Sequence, residues 1–213
     1  MSNLIAPMLE GTLVSFKIFF LTLIFALPLG FLITKAKMSK IWIVRKIINI
    51  YIMIMRGTPL ILQLIFVYFG PYYIFGTSTN RMTAAVMAFV INYAAYFAEI
   101  YRGGIQSIPK GQYEAGKVLG FTKAHTFFHI VLPQVIKEVM PAMGNEVITL
   151  VKDTALAQTI GVAELFRVAQ TASARNFSTW PLFLAGIFYF VMNGFVSKAF
   201  DIAEDKMNYY GKI

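Results

Sequence analysis

Five apolar stretches, each about as long as a bilayer is thick, constrain this chain more than any other feature. They fall at 12–34, 57–74, 82–101, 130–151 and 180–200. A helix needs about 20 consecutive apolar residues to cross a hydrocarbon core of about 30 Å. Inside lipid every backbone N–H and C=O must find an internal partner, so such stretches become helices. Composition supports the reading: 58% of residues are hydrophobic and only 14% charged, against about 25% charged in an ordinary soluble domain. We expect an all-α polytopic membrane protein, with five transmembrane helices in a single domain over 1–213. No basic region precedes the first apolar run, so a cleavable leader is not expected. The chain has no cysteine, which excludes disulfides, thiolate metal sites and a cysteine nucleophile.

The breaks between these stretches carry further expectations. Pro28 should kink the first span. The run 41–55 is apolar but holds Arg45 and Lys46. Around Arg56-Gly57-Thr58-Pro59 the chain forms either one long bent helix or an interfacial helix followed by a span. Arg102-Gly103-Gly104 should close the third span. Pro133, Pro141 and Gly144 should interrupt the fourth. Residues 152–161 read as a broken, semi-polar segment, 162–174 as a short amphipathic helix and Asp201–Ile213 as a polar tail.

The net charge is +9. In a membrane protein that points to basic cytoplasmic loops before nucleic acid, and no nucleic-acid partner is expected. Lys35, Lys37, Lys40, Arg45, Lys46 and Arg56 follow the first span. Arg102, Lys110, Lys117 and Lys123 follow the third, and Lys198, Lys206 and Lys212 end the chain. With five spans all these lie on one side, leaving Arg81, Lys152, Arg167 and Arg175 opposite. The bias predicts a cytoplasmic C-terminus and an N-terminus outside.

Between the third and fourth spans lies the longest polar interlude, from Pro109 to Pro133. Pro109 suits the start of a helix, Gly120 a left-handed stop, and Thr122 the cap of a second helix from Lys123. Ala115, Val118 and Leu119 share one face of the first helix. The spacing Glu114-Ala115-Gly116, Gly120, Ile130, Leu132-Pro133 closely resembles the EAA loop of type I ABC importer membrane subunits. Its one departure is Gly116 in place of a second alanine, which lowers helix propensity by about 1 kcal/mol. The resemblance implies a coupling helix, carried by Glu114, Ala115, Gly116 and Gly120 within a loop of about 102–129. In that family the helix docks on a cytoplasmic ABC ATPase subunit.

Three further stretches, 55–70 with its RGTP-L-x-x-Q-L pattern, 91–115 and 150–165, resemble the polar amino acid permeases of that family. The resemblance implies a bacterial cytoplasmic-membrane subunit that takes up an amino acid, polar or charged. It also implies pairing with a second permease subunit, identical or homologous, and an extracytoplasmic substrate-binding protein. No cofactor is expected in this chain, since ATP belongs to the partner ATPase.

Charges at membrane depth are costly, and those that remain face a cavity or a partner. Glu99 and Asp153 are therefore candidates to meet the ammonium group of a substrate, with Thr154 and Asn92 as polar neighbours. Lys152 or nearby backbone N–H groups are placed to meet its carboxylate. Glu99 has a competing role as the ion-pair partner of Arg102, one turn away.

Other patterns lead elsewhere or nowhere. Gly111–Val118 nearly spells a phosphate-binding P-loop, but Val118 stands where Mg²⁺ needs Ser or Thr, and no strand precedes it. His125 and His129 are spaced i, i+4 without a third metal ligand in sequence, so no metal site is expected. HExxH and GxSxG are absent, and no enzymatic activity is expected. The alternatives are another substrate branch of the same importers, such as opine or other small polar solutes, and a channel or carrier that works without ATP.

Overall fold

The computed structural model describes residues 2–207, and all regular structure among them is helical. α1 (Ser2–Lys37) is a single helix that runs on through Pro7 and Pro28. It therefore begins ten residues before the expected first span, and Pro28 does not divide it. α2 (Trp42–Gly57) and α3 (Leu60–Phe75) meet at a bend of 110°. The cause is local. Thr58 precedes a proline and is extended at φ −122°, ψ 147°; proline's ring disfavours the helical conformation for the residue before it.

α4 (Arg81–Ser107) is the centre of the molecule. Its buried face combines small residues, Ala84, Ala85, Ala88, Ala94, Ala95 and Ala98, with Phe89, Tyr93 and Phe97. Small residues let helix backbones approach closely in a membrane. On the facing side of α1, a Cβ added at Gly30 would meet Phe97 Cβ at 2.9 Å and Ala94 O at 3.1 Å. Thr34 Oγ1 donates across the same interface to Ala98 O at 3.0 Å. α4 also runs past Arg102-Gly103-Gly104, because Gly104 is buried against Val139 of a later helix and ends nothing.

α5 (Lys110–Val118) follows at once. α6 (Lys123–His125), a π-helical turn (Thr126–Val131) and α7 (Leu132–Asp153) then form one continuous rod. Pro133 sits in the first turn of α7 and Pro141 lies inside it without interrupting it. A 3₁₀ segment (Thr154–Ile160) continues the rod to Gly161, which is left-handed at φ 80°. α8 (Leu165–Asn176) and α9 (Trp180–Met207) complete the described chain. The expected polar tail is helical as far as Met207, while residues 208–213, Lys212 among them, lie outside the described residues.

Among the described residues α1, α4 and α9 are each long and apolar enough to cross a membrane, and the pair α2–α3 is apolar enough to do so only when its two helices, bent by 110°, are taken together. α7 is different. At 22 residues it is about 33 Å long, which is sufficient to cross. Yet Lys137, Glu138, Glu146, Lys152 and Asp153 make it too polar to stand in lipid alone.

Candidate functional site

The polar side chains at membrane depth gather where α4 passes the α2–α3 corner. Breaking a helix frees carbonyls that lipid cannot satisfy. Here side chains do so. Gln63 Nε2 donates to Met55 O at 3.0 Å, Thr58 O at 3.2 Å and Thr58 Oγ1 at 2.8 Å. Thr58 Oγ1 in turn donates to Ile54 O at 2.8 Å. Asn92 Nδ2 reaches across from α4 to Met55 O at 3.0 Å and Gln63 Oε1 at 2.9 Å. Asn92 is thus a tie that holds the corner against α4. Gln63, the glutamine of the RGTP-L-x-x-Q-L pattern, is its counterpart, and hydropathy alone gives no reason to single it out.

Glu99 lies two turns further along α4. It accepts from Lys37 Nζ at 2.5 Å and from Arg102 Nη2 at 2.8 Å, and Arg56 Nη1 stands 3.8 Å away. The Arg102 partnership anticipated from sequence is present, and Lys37 at the end of α1 joins it. Arg56 also lies over the Tyr96 ring, 5.2 Å from its centroid. Its side chain is 44% exposed, so its share of the pairing is screened and small.

Asp153 occupies the last residue of α7, next to the 3₁₀ segment. Its Oδ2 accepts from the hydroxyl of buried Tyr93 at 2.8 Å. It forms no salt bridge among the described residues and is half-buried, with exposed Lys152 beside it. Thr154 is fully buried, and its Oγ1 donates to Val151 O at 2.7 Å. The structure therefore brings Asn92, Glu99 and Asp153 to one stretch of α4, spanning Asn92 to Arg102. It turns Thr154 inward.

The exposed face of α7 adds Glu138, Ala142, Asn145 and Thr149, which sequence reading passed over, to Lys152, which it named. Glu138, Ala142, Asn145 and Lys152 are exposed and Thr149 half-exposed, at helical spacing along one side, ending next to Asp153. α9 exposes Phe183, Ile187 and Phe190 at the same spacing, with Phe195 exposed further along. The second stripe suits lipid; the first suits water or another polypeptide. A cleft of about 830 Å³ lies elsewhere, between the start of α1, α8 and the start of α9, and none of the clustered residues lines it. Asp153 therefore stands on an open face of the subunit, outside that cleft.

At the other end stands the short helix α5. Pro109 is its N-cap with an extended ψ of 138°. Gly120 is left-handed at φ 76°. Phe121 N donates to Gly116 O at 2.9 Å and Gly120 N to Lys117 O at 3.1 Å, the paired bonds of a Schellman stop. Thr122 caps α6 by accepting from His125 N at 3.2 Å. Gly116 is buried, and a Cβ there would meet Thr126 Oγ1 at 2.6 Å and Cγ2 at 2.7 Å. The departure from alanine is thus a packing requirement, because Thr126 of the π turn fills the space. Val118 is 86% and Leu119 67% exposed, and Glu114 and Ala115 are exposed beside them.

A family model described as "Binding-protein-dependent transport system inner membrane component" matches residues 26–209. The chain is similar to a putative glutamine transport system permease protein of Rickettsia felis, 36% identical over 93% of this chain and 91% of that one. It is similar to an L-cystine transport system permease protein of Bacillus subtilis, 41% identical over 80% and 73%. Among solved structures it resembles an amino acid ABC transporter crystallised with histidines, with a TM-score of 0.89, 35% identity, and 97% and 96% coverage. From its fold, its matched residues and these relatives, the chain belongs to the family of binding-protein-dependent transport system inner membrane components, as an ABC importer permease subunit.

Proposed function

We propose that this chain translocates a polar or charged amino acid across the bacterial cytoplasmic membrane, as one of two permease subunits driven by ATPase partners docked at α5. The observation that carries the reading is the polar stripe on α7. A helix of bilayer length that exposes Glu138, Asn145, Thr149 and Lys152 is unstable against lipid. A second permease subunit facing this stripe would enclose a water-filled path with Asp153 on its wall, and α7 would be the fifth span. In this arrangement the N-terminus and α8 face an extracytoplasmic binding protein, and α5 and the C-terminus face the cytoplasm.

The residues have separable tasks. Asp153 offers a carboxylate to the substrate ammonium, and Lys152 lies beside it for the substrate carboxylate. Asn92 and Gln63 keep the corner fixed, and Glu99 joins α1, α2 and α4 near the cytoplasmic end. The coupling surface is Val118, Leu119, Glu114 and Ala115, carried on Gly116 and stopped at Gly120. α5 packs on the π turn through Gly116 and Thr126, and that turn runs directly into α7. A push on α5 therefore reaches the rod that carries Asp153. When ATP draws the ATPase pair together, the two rods move and the path changes the side to which it opens. The chain itself breaks no bond.

Because the chain has no native cysteine, single cysteines test this directly in vesicles holding the complex. Thr149→Cys should react with a water-soluble maleimide at a rate that changes when ATP is added, while Phe190→Cys stays unreactive. Val118→Cys should cross-link to the ATPase. Accumulation of labelled amino acid without ATP, or a Val118→Cys that cross-links to no ATPase, would refute the reading.

A further inference from the structure

We propose that the first turns of α2 form a docking site for the headgroup of an anionic phospholipid. The site is a shallow groove of about 380 Å³ lined by Trp42, Arg45, Lys46, Asn49, Ile50 and Met53. Lys46 Nζ lies over the Trp42 ring, 4.9 Å from its centroid, which holds the ammonium at the groove's edge. Arg45 Nη1 is anchored by Ser39 O at 2.9 Å and Lys40 O at 3.0 Å. Only one guanidinium nitrogen is used in this way. Along the helix Trp42, Ile50 and Met53 are 62%, 45% and 66% exposed, an apolar continuation suited to an acyl chain.

Charge decides the occupant. The sequence has no Asp or Glu between Glu10 and Glu99, and Glu99 is held by Lys37 and Arg102. Lys40, Arg45 and Lys46 have no carboxylate partner among the described residues. A second copy placed here across a two-fold axis would set the same cations against each other. The position also fits a headgroup. α2 starts five residues after α1, a long apolar span, ends, and tryptophan prefers the membrane–water interface. Basic clusters next to a span attract anionic lipid, and their pull falls with salt.

The sequence has two tryptophans, so Trp180→Phe leaves Trp42 as this chain's only one. The full chain carrying that change is placed in phosphatidylcholine vesicles doped with a little brominated phosphatidylglycerol or, separately, brominated phosphatidylcholine. Quenching of Trp42 by the anionic lipid should reflect a local preference of at least about fivefold, the factor expected of one effective basic contact. The preference should shrink as salt rises. The single exposed-lysine variant Lys46→Gln should reduce it, and Lys40→Gln with Arg45→Gln and Lys46→Gln should abolish it. Equal quenching by the two lipids would overturn the proposal, because α2 would then meet bulk lipid without selection. Absence of quenching by either would also overturn it, because a second copy would then cover Trp42.

Discussion

Glu99 and Asp153 are both candidate substrate contacts in the sequence, Glu99 with Arg102 as a competing partner, and the fold gives them opposite surroundings. Glu99 sits among Lys37, Arg102 and Arg56, so its charge is met within the subunit. Asp153 accepts a hydrogen bond from one neutral hydroxyl, that of Tyr93, forms no salt bridge among the described residues, and keeps a half-exposed side with exposed Lys152 next to it. A carboxylate already neutralised joins helices together. A carboxylate with one hydroxyl for company still has charge to offer a passing cation. Depth in the membrane alone does not make a binding residue; the difference lies in which neighbours bring countercharge.

The largest effect should come from Glu99→Gln. It leaves Lys37 and Arg102 facing a neutral amide, with the Glu99 side chain only 15% exposed. Breaking a buried ion pair costs 3–5 kcal/mol, and partial exposure lowers this to about 2 kcal/mol. Thermal unfolding of the purified protein should show the loss, and Lys37→Met added to it should recover part. The apparent KM for substrate should not move. A shifted KM with normal stability would reverse the assignment of the two carboxylates.

Asp153→Asn should do the opposite. Tyr93 can still donate to the amide oxygen, so stability should barely change. Uptake per folded complex should fall about tenfold, equivalent to about 1.4 kcal/mol. Unchanged uptake kinetics would remove Asp153 from the path and leave the polar stripe without an end point.

Asn92→Ala tests a third residue against this pair. It removes the bonds to Met55 O and Gln63 Oε1, while Gln63 still serves Met55 O. We expect a stability loss of about 1 kcal/mol, read by unfolding, with no change in KM. If Asn92 binds substrate, KM will rise while stability holds.

What the sequence made legible follows the range of its forces. The ends of α5 and the cap at Thr122 are set by residues within a turn or two, and Gly120 and Thr122 take the roles their chemistry suggests. The break at Arg56–Pro59 was readable for the same reason, although its angle was not. Pairings made across helices were hidden. Lys37 is 62 positions from Glu99 and Tyr93 is 60 from Asp153, and no local pattern joins them. Gly116 looked like a loosened coupling helix, and its contact with Thr126 makes it a close fit. Proline misled at 141, which lies inside α7 without interrupting it.

The smallest effect should come from Thr154→Val. Sequence placed Thr154 beside Asp153 and so among the substrate contacts. In the fold it has no accessible surface, and its hydroxyl is engaged with Val151 O. Valine has nearly the same shape, so the change removes the hydroxyl's bonds to Val151 O and Tyr189 without opening a cavity. The cost should be under about 1 kcal/mol, because Val151 O lies at the end of a helix where neighbouring amides can turn toward it. Uptake kinetics should be indistinguishable from the parent protein, since neither water nor substrate reaches the hydroxyl in this arrangement. An altered KM would mean that the 3₁₀ segment opens during transport and turns Thr154 outward. The boundary between Asp153 and Thr154, one residue apart and one helix type apart, would then move with the transport cycle, and the contrast between buried and accessible polar groups would belong to one state of the subunit alone.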